Sequence, residues 1–175
     1  MKQYEGKPVS FTLTGAGVSL ANLLCIPGSS KMVYEMIIPY DPKASMHFTE
    51  LPDNNINPCV SAAVAEGFFQ NAYKRNGDNC TYVAVTGALT TNRYRRGEDH
   101  AFIYIGSDIY HFQYNKLTQE QWVELNEQGL ILEYRLMQDY ALSEWIIKML
   151  VYGEDKKDIG SVAEGIKYTV VKENS

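Results

Sequence analysis

Apolar positions alternate with hydroxyl residues over Val9–Thr14 (VSFTLT), the period-two pattern of a β-strand, and the run ends in Gly15-Ala16-Gly17. Val18, Ala21, Leu24 and Cys25 then recur at helical spacing. Pro27-Gly28 stops that run, with proline and glycine at the two central positions of a type II turn. Residues 32–40 (MVYEMIIPY) predict the second strand, and Asp41-Pro42 caps and opens a short helix through about Phe48. Residues 51–58 are loop by composition. From Ser61, the residues Val64, Ala65, Phe68, Phe69 and Ala72 form a helical stripe that Asn76-Gly77 closes. Residues 81–85 and 101–105 predict strands, and 108–114 pairs with the latter as a hairpin across Gly106-Ser107. Thr118 and Gln121 have capping-box spacing and open a helix that ends near Gly129. Residues 130–136 fit a strand or a helix, 140–151 a buried helix, and 166–171 an added edge strand.

Strands alternating with helices predict an α/β fold: a three-layer α/β/α sandwich with a mixed, partly parallel sheet. No repeat, low-complexity tract or linker divides the 175 residues, so a single domain over 1–175 is expected, with 152–175 as an extra C-terminal element. The net charge of -5, from 16 basic and 21 acidic residues without a long Lys/Arg block, argues against nucleic acid as a partner. No apolar run reaches the ~18 residues of a membrane span, and the polar first ten residues lack a signal-peptide core. A soluble, cytoplasmic protein is expected. Cys25, Cys59 and Cys80 read as buried reduced thiols, which suits the same compartment.

Three strand-end turns concentrate the candidate chemistry, where α/β sheets place their sites. Gly15 and Gly17 fit an anion cradle of free backbone N–H groups, or equally a turn that needs glycine for its conformation. Ser29, Ser30, Tyr40 and Lys43 could serve a nucleophilic centre, although a Pro-Gly-Ser-Ser turn is more often only a turn. Glu35 stands within an apolar strand and must either face solvent or pair, with the arginines as candidate partners. Arg93, Arg95 and Arg96 suit phosphate or carboxylate recognition, or a solvated loop with internal ion pairs. His47, His100 and His111 have no metal-ligand spacing, so no metal is expected. Nor is a cofactor: there is no P-loop lysine or complete GxGxxG.

Taken in order, TGAGVSLANLLCIPGSSKMVYEMIIPYDPKA, VSAAVAEGFFQNAYKR and YVAVTGALTTNRYRRGEDHAFIYIG resemble the C-terminal domain of the competence-damage-inducible CinA family, over about residues 9–106. That family includes nicotinamide mononucleotide amidohydrolases. The resemblance implies Ser30 as nucleophile, Tyr40 as its assistant, and a phosphate held by Thr86-Gly87, Gly15, Gly17, Ser29 or the Arg93, Arg95, Arg96 loop. It departs at two places. The family's basic lysine falls on Ser45, with Lys43 two residues early, and a polar serine of the first turn is replaced by Leu13. A two-residue displacement on a helix turns a side chain by about 200°. The expectation is therefore a CinA-like domain with a nucleotide- or phosphate-binding pocket and altered or lost amidohydrolase chemistry; the alternative is an active nicotinamide mononucleotide amidohydrolase. The expected partner is a nucleotide-like small molecule such as nicotinamide mononucleotide. Family members are often oligomeric, so a homo-oligomer of unspecified stoichiometry is also expected.

Overall fold

The computed structural model describes residues 4–49, 51, 59–156 and 160–173; apart from Leu51, the loop expected over 51–58 lies outside the described residues. Six strands form one sheet: β1 (Val9–Thr14), β2 (Val33–Ile37), β3 (Thr81–Ala88), β4 (His100–Ile105), β5 (Asp108–Tyr114) and β6 (Tyr168–Glu173), in the order β2-β1-β3-β4-β5-β6. β1 pairs in parallel with both β2 and β3, and the remaining pairings are antiparallel. The sheet is thus mixed. Among the described residues four α-helices accompany it: α1 (Pro42–Met46), α2 (Ala62–Asn76), α3 (Gln119–Glu127) and α4 (Ile131–Tyr152).

Every residue of β1 is buried, because parallel neighbours flank it and helices cover both of its faces. Val9, Phe11 and Leu13 join Val83, Val85 and Ile103 against Leu142, Trp145 and Ile146 of α4. On the other face Val64, Ala65 and Phe68 of α2 pack on Ala84 and Tyr104. Of residues 130–136, Leu130 is the N-cap and the rest are helix, so α4 is a single 22-residue rod covering one side of the sheet. The C-terminal segment adds β6 at the sheet edge beside β5. No helix among the described residues is long and apolar enough to cross a membrane.

Local signals place most boundaries. Ser61 caps α2 through the Val64 N–H, the Thr118–Gln121 capping box is complete, and the Ile26 carbonyl accepts from Ser29 N at 3.0 Å across Pro27-Gly28, with Gly28 at φ 84°. Two expectations shift. Val18–Cys25 is a 3-10 helix, whose period of three turns Leu20 and Leu23 inward and leaves Val18 and Leu24 exposed. β2 ends at Ile37 rather than Tyr40, since Pro39 has no N–H to give a ladder. Of the cysteines expected to be buried, only Cys80 is; Cys25 and Cys59 are exposed, and all three are free. Cys25 ends a 3-10 helix and Cys59 stands just ahead of the α2 cap, both at the surface.

The turns after β1 and within β3 meet backbone to backbone. A Cβ on Gly15 (φ 72°) would lie 1.9 Å from the Gly87 carbonyl oxygen, and one on Gly87 would lie 2.5 Å from Ala16 Cβ. Only glycine fits either position. The same turn is held from behind by Asp139 of α4: its carboxylate accepts from Gly17 N at 2.6 Å, from Ser19 N at 2.7 Å and from the Ser19 hydroxyl. At the other sheet edge Glu35 finds the basic partner it requires. Arg75 of α2 reaches both carboxylate oxygens at 3.1 Å, and Ser10 and Asn76 donate at 2.8 and 2.7 Å.

Two measurements test these anchors. Asp139→Ala leaves three donors without an acceptor, two of them backbone N–H groups, and is expected to cost about 3 kcal/mol in urea unfolding; a loss below about 0.5 kcal/mol would show that water replaces the carboxylate. Burial alone would raise the Glu35 carboxyl, but the bonds from Arg75, Ser10 and Asn76 outweigh it and hold it below the usual value of 4.5. Its contribution is complete above that value and is lost as pH falls through the lower folded-state value. Glu35→Gln is therefore expected to be less stable than wild type by about 1 kcal/mol at pH 7, with the difference shrinking on acidification below pH 4.5; a difference independent of pH would contradict the pairing.

Candidate functional site

The parallel pair β1 and β3 ends side by side, and beyond those ends lies a pocket of ≈ 350 Å³. Thr14 and Gly15 contribute its wall from β1, and Thr86 and Gly87 from β3. Tyr40 and Ser45 close it from the segment after β2, and Arg95 and Arg135 line the opposite side. The location is the one that parallel α/β sheets provide for ligands, where strand ends leave backbone groups unpaired. A more apolar groove of ≈ 390 Å³ runs between residues 18–25 and α4. None of the candidate residues line it.

Behind the arginine wall stands a buried polar network. Asp99 accepts from Arg95 Nη2 at 2.6 Å, from the Thr90 hydroxyl at 2.5 Å and from Gln138 Nε2 at 3.0 Å. Gln138 Oε1 in turn accepts from Thr90 N at 2.9 Å. Arg135 Nη1 donates to the Leu89 and Thr90 carbonyls at 3.3 and 2.9 Å. The basic segment between β3 and β4 is therefore folded onto α4, and Lys116 pins it from the other side through the Arg95 and Gly97 carbonyls. Arg95 is neutralised by Asp99. Arg135 faces two carbonyls and, among the described residues, no carboxylate. A guanidinium has five donors, so three N–H groups of Arg135, on Nε and Nη2, have no partner in the network.

The anticipated residues divide between pocket and surface. Gly15, Tyr40, Thr86, Gly87 and Arg95 line the pocket, and Ser29, Ser30, Lys43, Gly17, Arg93 and Arg96 do not. Gly17 N–H is already engaged by Asp139, so the anion at that turn is the protein's own. The Thr86 hydroxyl donates to the Cys59 carbonyl at 2.6 Å and so ties the start of the α2 segment to β3. Ser30 is exposed in a three-residue 3-10 turn, and Arg93 and Arg96 are exposed. Lys43, on the first turn of α1, is exposed too, with its N–H on the Asp41 carboxylate at 2.8 Å. Ser45, two residues on, is buried, lines the pocket and donates to the Pro39 carbonyl at 3.3 Å. The helical rotation thus separates the two as the spacing implies. Among the described residues, the side chains of Ser30, Tyr40 and Lys43 share no hydrogen bond. Arg135 is the wall residue that sequence reasoning missed: it sits in the stretch whose secondary structure the sequence left open.

No protein-family model matches the sequence, and no curated protein matches it. Solved structures do. The chain is similar to the competence/damage inducible protein CihA from Agrobacterium tumefaciens, at 18% identity over 76% of this chain and 84% of that one, with a TM-score of 0.51. A competence-damaged protein (CinA) superfamily protein from Escherichia coli matches at 17% identity over 77% and 79%, with a TM-score of 0.51. The competence damage-inducible protein A (ComA) from Klebsiella pneumoniae subsp. pneumoniae MGH 78578 matches at 13% over 81% and 88%, with a TM-score of 0.52. At such identities the likeness is one of architecture, and the chain carries the α/β fold of the CinA superfamily structures.

Proposed function

We propose that the pocket at the β1 and β3 strand ends binds a phosphate-bearing, nucleotide-like small molecule, and that the serine–lysine amidohydrolase chemistry of the CinA family is lost. The observation that carries this reading is Arg135, a pocket-wall cation that no carboxylate neutralises among the described residues. A phosphate placed there meets free guanidinium donors, and the glycines at positions 15 and 87 let it approach the backbone closely. Tyr40 is 73% exposed at the mouth, where its ring offers a face for a heterocycle. Val64 and Leu89 supply apolar wall.

Loss of the reaction rests on Ser45. The position that corresponds to the family's lysine lines the pocket as a serine whose hydroxyl donates to the Pro39 carbonyl, and a hydroxyl is too weak a base to take a proton from a serine nucleophile. Lys43 faces solvent and stands outside the pocket wall, as does Ser30. The cytoplasm suits such a ligand and suits three free thiols, two of them exposed.

Thermal-shift and calorimetric titration with nicotinamide mononucleotide and with purine mononucleotides tests the binding. Saturable stabilisation by at least one nucleotide is expected, with affinity reduced roughly tenfold or more in Arg135→Gln and apo folding retained. No shift with any of them would remove the nucleotide reading. Ammonia release from nicotinamide mononucleotide is expected at background; release that Ser30→Ala abolishes would restore the hydrolase.

A further inference from the structure

His100 and His111 lie eleven residues apart in sequence, a separation without metal-ligand spacing, but the β4–β5 hairpin folds one onto the other. Phe102 is the register partner of His111, and His100 sits two residues before Phe102, so all three share the face of the sheet that α2 covers further along. His100 Nδ1 and His111 Nε2 are 2.8 Å apart. A Glu98 carboxylate oxygen stands 3.8 Å from His100 Nδ1, and the three ligand atoms all lie within 4.8 Å of one another.

We infer that Glu98, His100 and His111 form a binding site for a divalent transition-metal ion of the zinc class, with a coordination position open to solvent. Two nitrogens each about 2.05 Å from a tetrahedral zinc stand ~3.3 Å apart, and a zinc-bound carboxylate oxygen stands at about the same distance from each nitrogen. The two separations made by His100 Nδ1, 2.8 Å to His111 and 3.8 Å to Glu98, fall about half an ångström to either side of that geometry, and Glu98 lies within 4.8 Å of His111. Rotation of the exposed Glu98 side chain and a small parting of the rings close the difference. Two imidazoles with one carboxylate favour zinc, cobalt or nickel over magnesium or calcium, which prefer all-oxygen shells.

The rings are held for this task. Phe102 stacks on His111 at 4.3 Å with planes 3° apart, and meets His100 edge-on at 5.7 Å. A Glu173 oxygen of β6 stands 3.8 Å from the outward nitrogen of His111, and a rotation of that exposed side chain into hydrogen-bond reach would supply the carboxylate that orients metal ligands from behind. In the metal-free pair one ring nitrogen donates its proton to the other. On binding, that proton moves to the far nitrogen of its own ring, so both lone pairs meet the ion, both rings remain neutral, and no other reactant is needed. His100 is paired in register with Ala88, which lines the strand-end pocket. The metal position is thus next to that pocket yet shares none of its wall residues, and it stands whether or not the pocket binds a nucleotide.

Tag-free, chelator-treated protein titrated with Zn2+ by calorimetry, and with Co2+ by visible absorption, tests the site. One saturable equivalent of Zn2+ is expected, together with cobalt d–d bands of nitrogen–oxygen ligation. His100→Ala and His111→Ala are each expected to weaken binding by more than the roughly 10–100-fold that loss of an outer partner costs. Glu173→Gln should weaken it about tenfold. Because a half-buried histidine variant can also lose structure, Glu98→Gln, altered at a side chain 64% exposed, provides the folded control and is expected to weaken binding at an unchanged apo melting temperature. The inference is overturned by the absence of a saturable equivalent. It is equally overturned by affinity unchanged in the Glu98 variant or in both histidine variants, or by thiolate charge-transfer bands that Cys59→Ser or Cys25→Ser removes.

Discussion

The contact on which the molecule turns is between two peptide groups. Gly15 follows β1 and Gly87 lies within β3, and neither can carry a side chain: a Cβ on Gly15 would meet the Gly87 carbonyl, and one on Gly87 the Ala16 methyl. Parallel strands must be joined by long crossovers, so nothing local brings these two segments together. Once they touch, the register of β1 on β3 is fixed, and Thr14 and Thr86 stand side by side at the strand ends. The pocket floor is a by-product of that packing. Its shape depends on the absence of two methyl groups more than on any polar bond.

Helix α4 sets the remaining walls. Gln138 and Asp139 are consecutive and buried, and they serve different clients: the amide holds Thr90 and Asp99, and the carboxylate holds Gly17 and Ser19. Arg135, one turn earlier, takes the Leu89 and Thr90 carbonyls. A single turn of helix therefore grips both the glycine turn and the basic segment. Gln138 and Asp139 sit where a hydrophobic helix face would otherwise continue, and each of their side-chain polar atoms has a partner, which is the condition under which buried polarity is tolerated.

Much of the architecture is legible in the sequence because its signals are local. Alternation over Val9–Thr14, the Ser61 cap and the Thr118–Gln121 box each fix an element without reference to the rest of the chain. The placement of Lys43 against Ser45 was legible too, since a two-residue step on a helix has one geometric meaning. What escaped depends on distant partners. Val18–Cys25 carries apolar residues compatible with either period, and the inward pair became Leu20 and Leu23 because α4 and β1 lie on that side. Arg135 sits where strand and helix patterns coincide. His100 and His111 look unrelated until the hairpin register is known, and whether the glycine turn is an anion cradle or only a turn depends on Asp139, far along the chain, which fills it.

That last bond spans 122 residues. In folding terms, the glycine turn is made early in synthesis and completed late. Its N–H groups must wait, solvated, until α4 docks on a sheet whose parallel core is already a set of non-local pairings. Contacts of such high sequence separation form slowly, because the loop-closure entropy is spent before they return anything. The last quarter of the protein therefore decides whether that turn is a structural joint, because the carboxylate that fills it arrives only with α4.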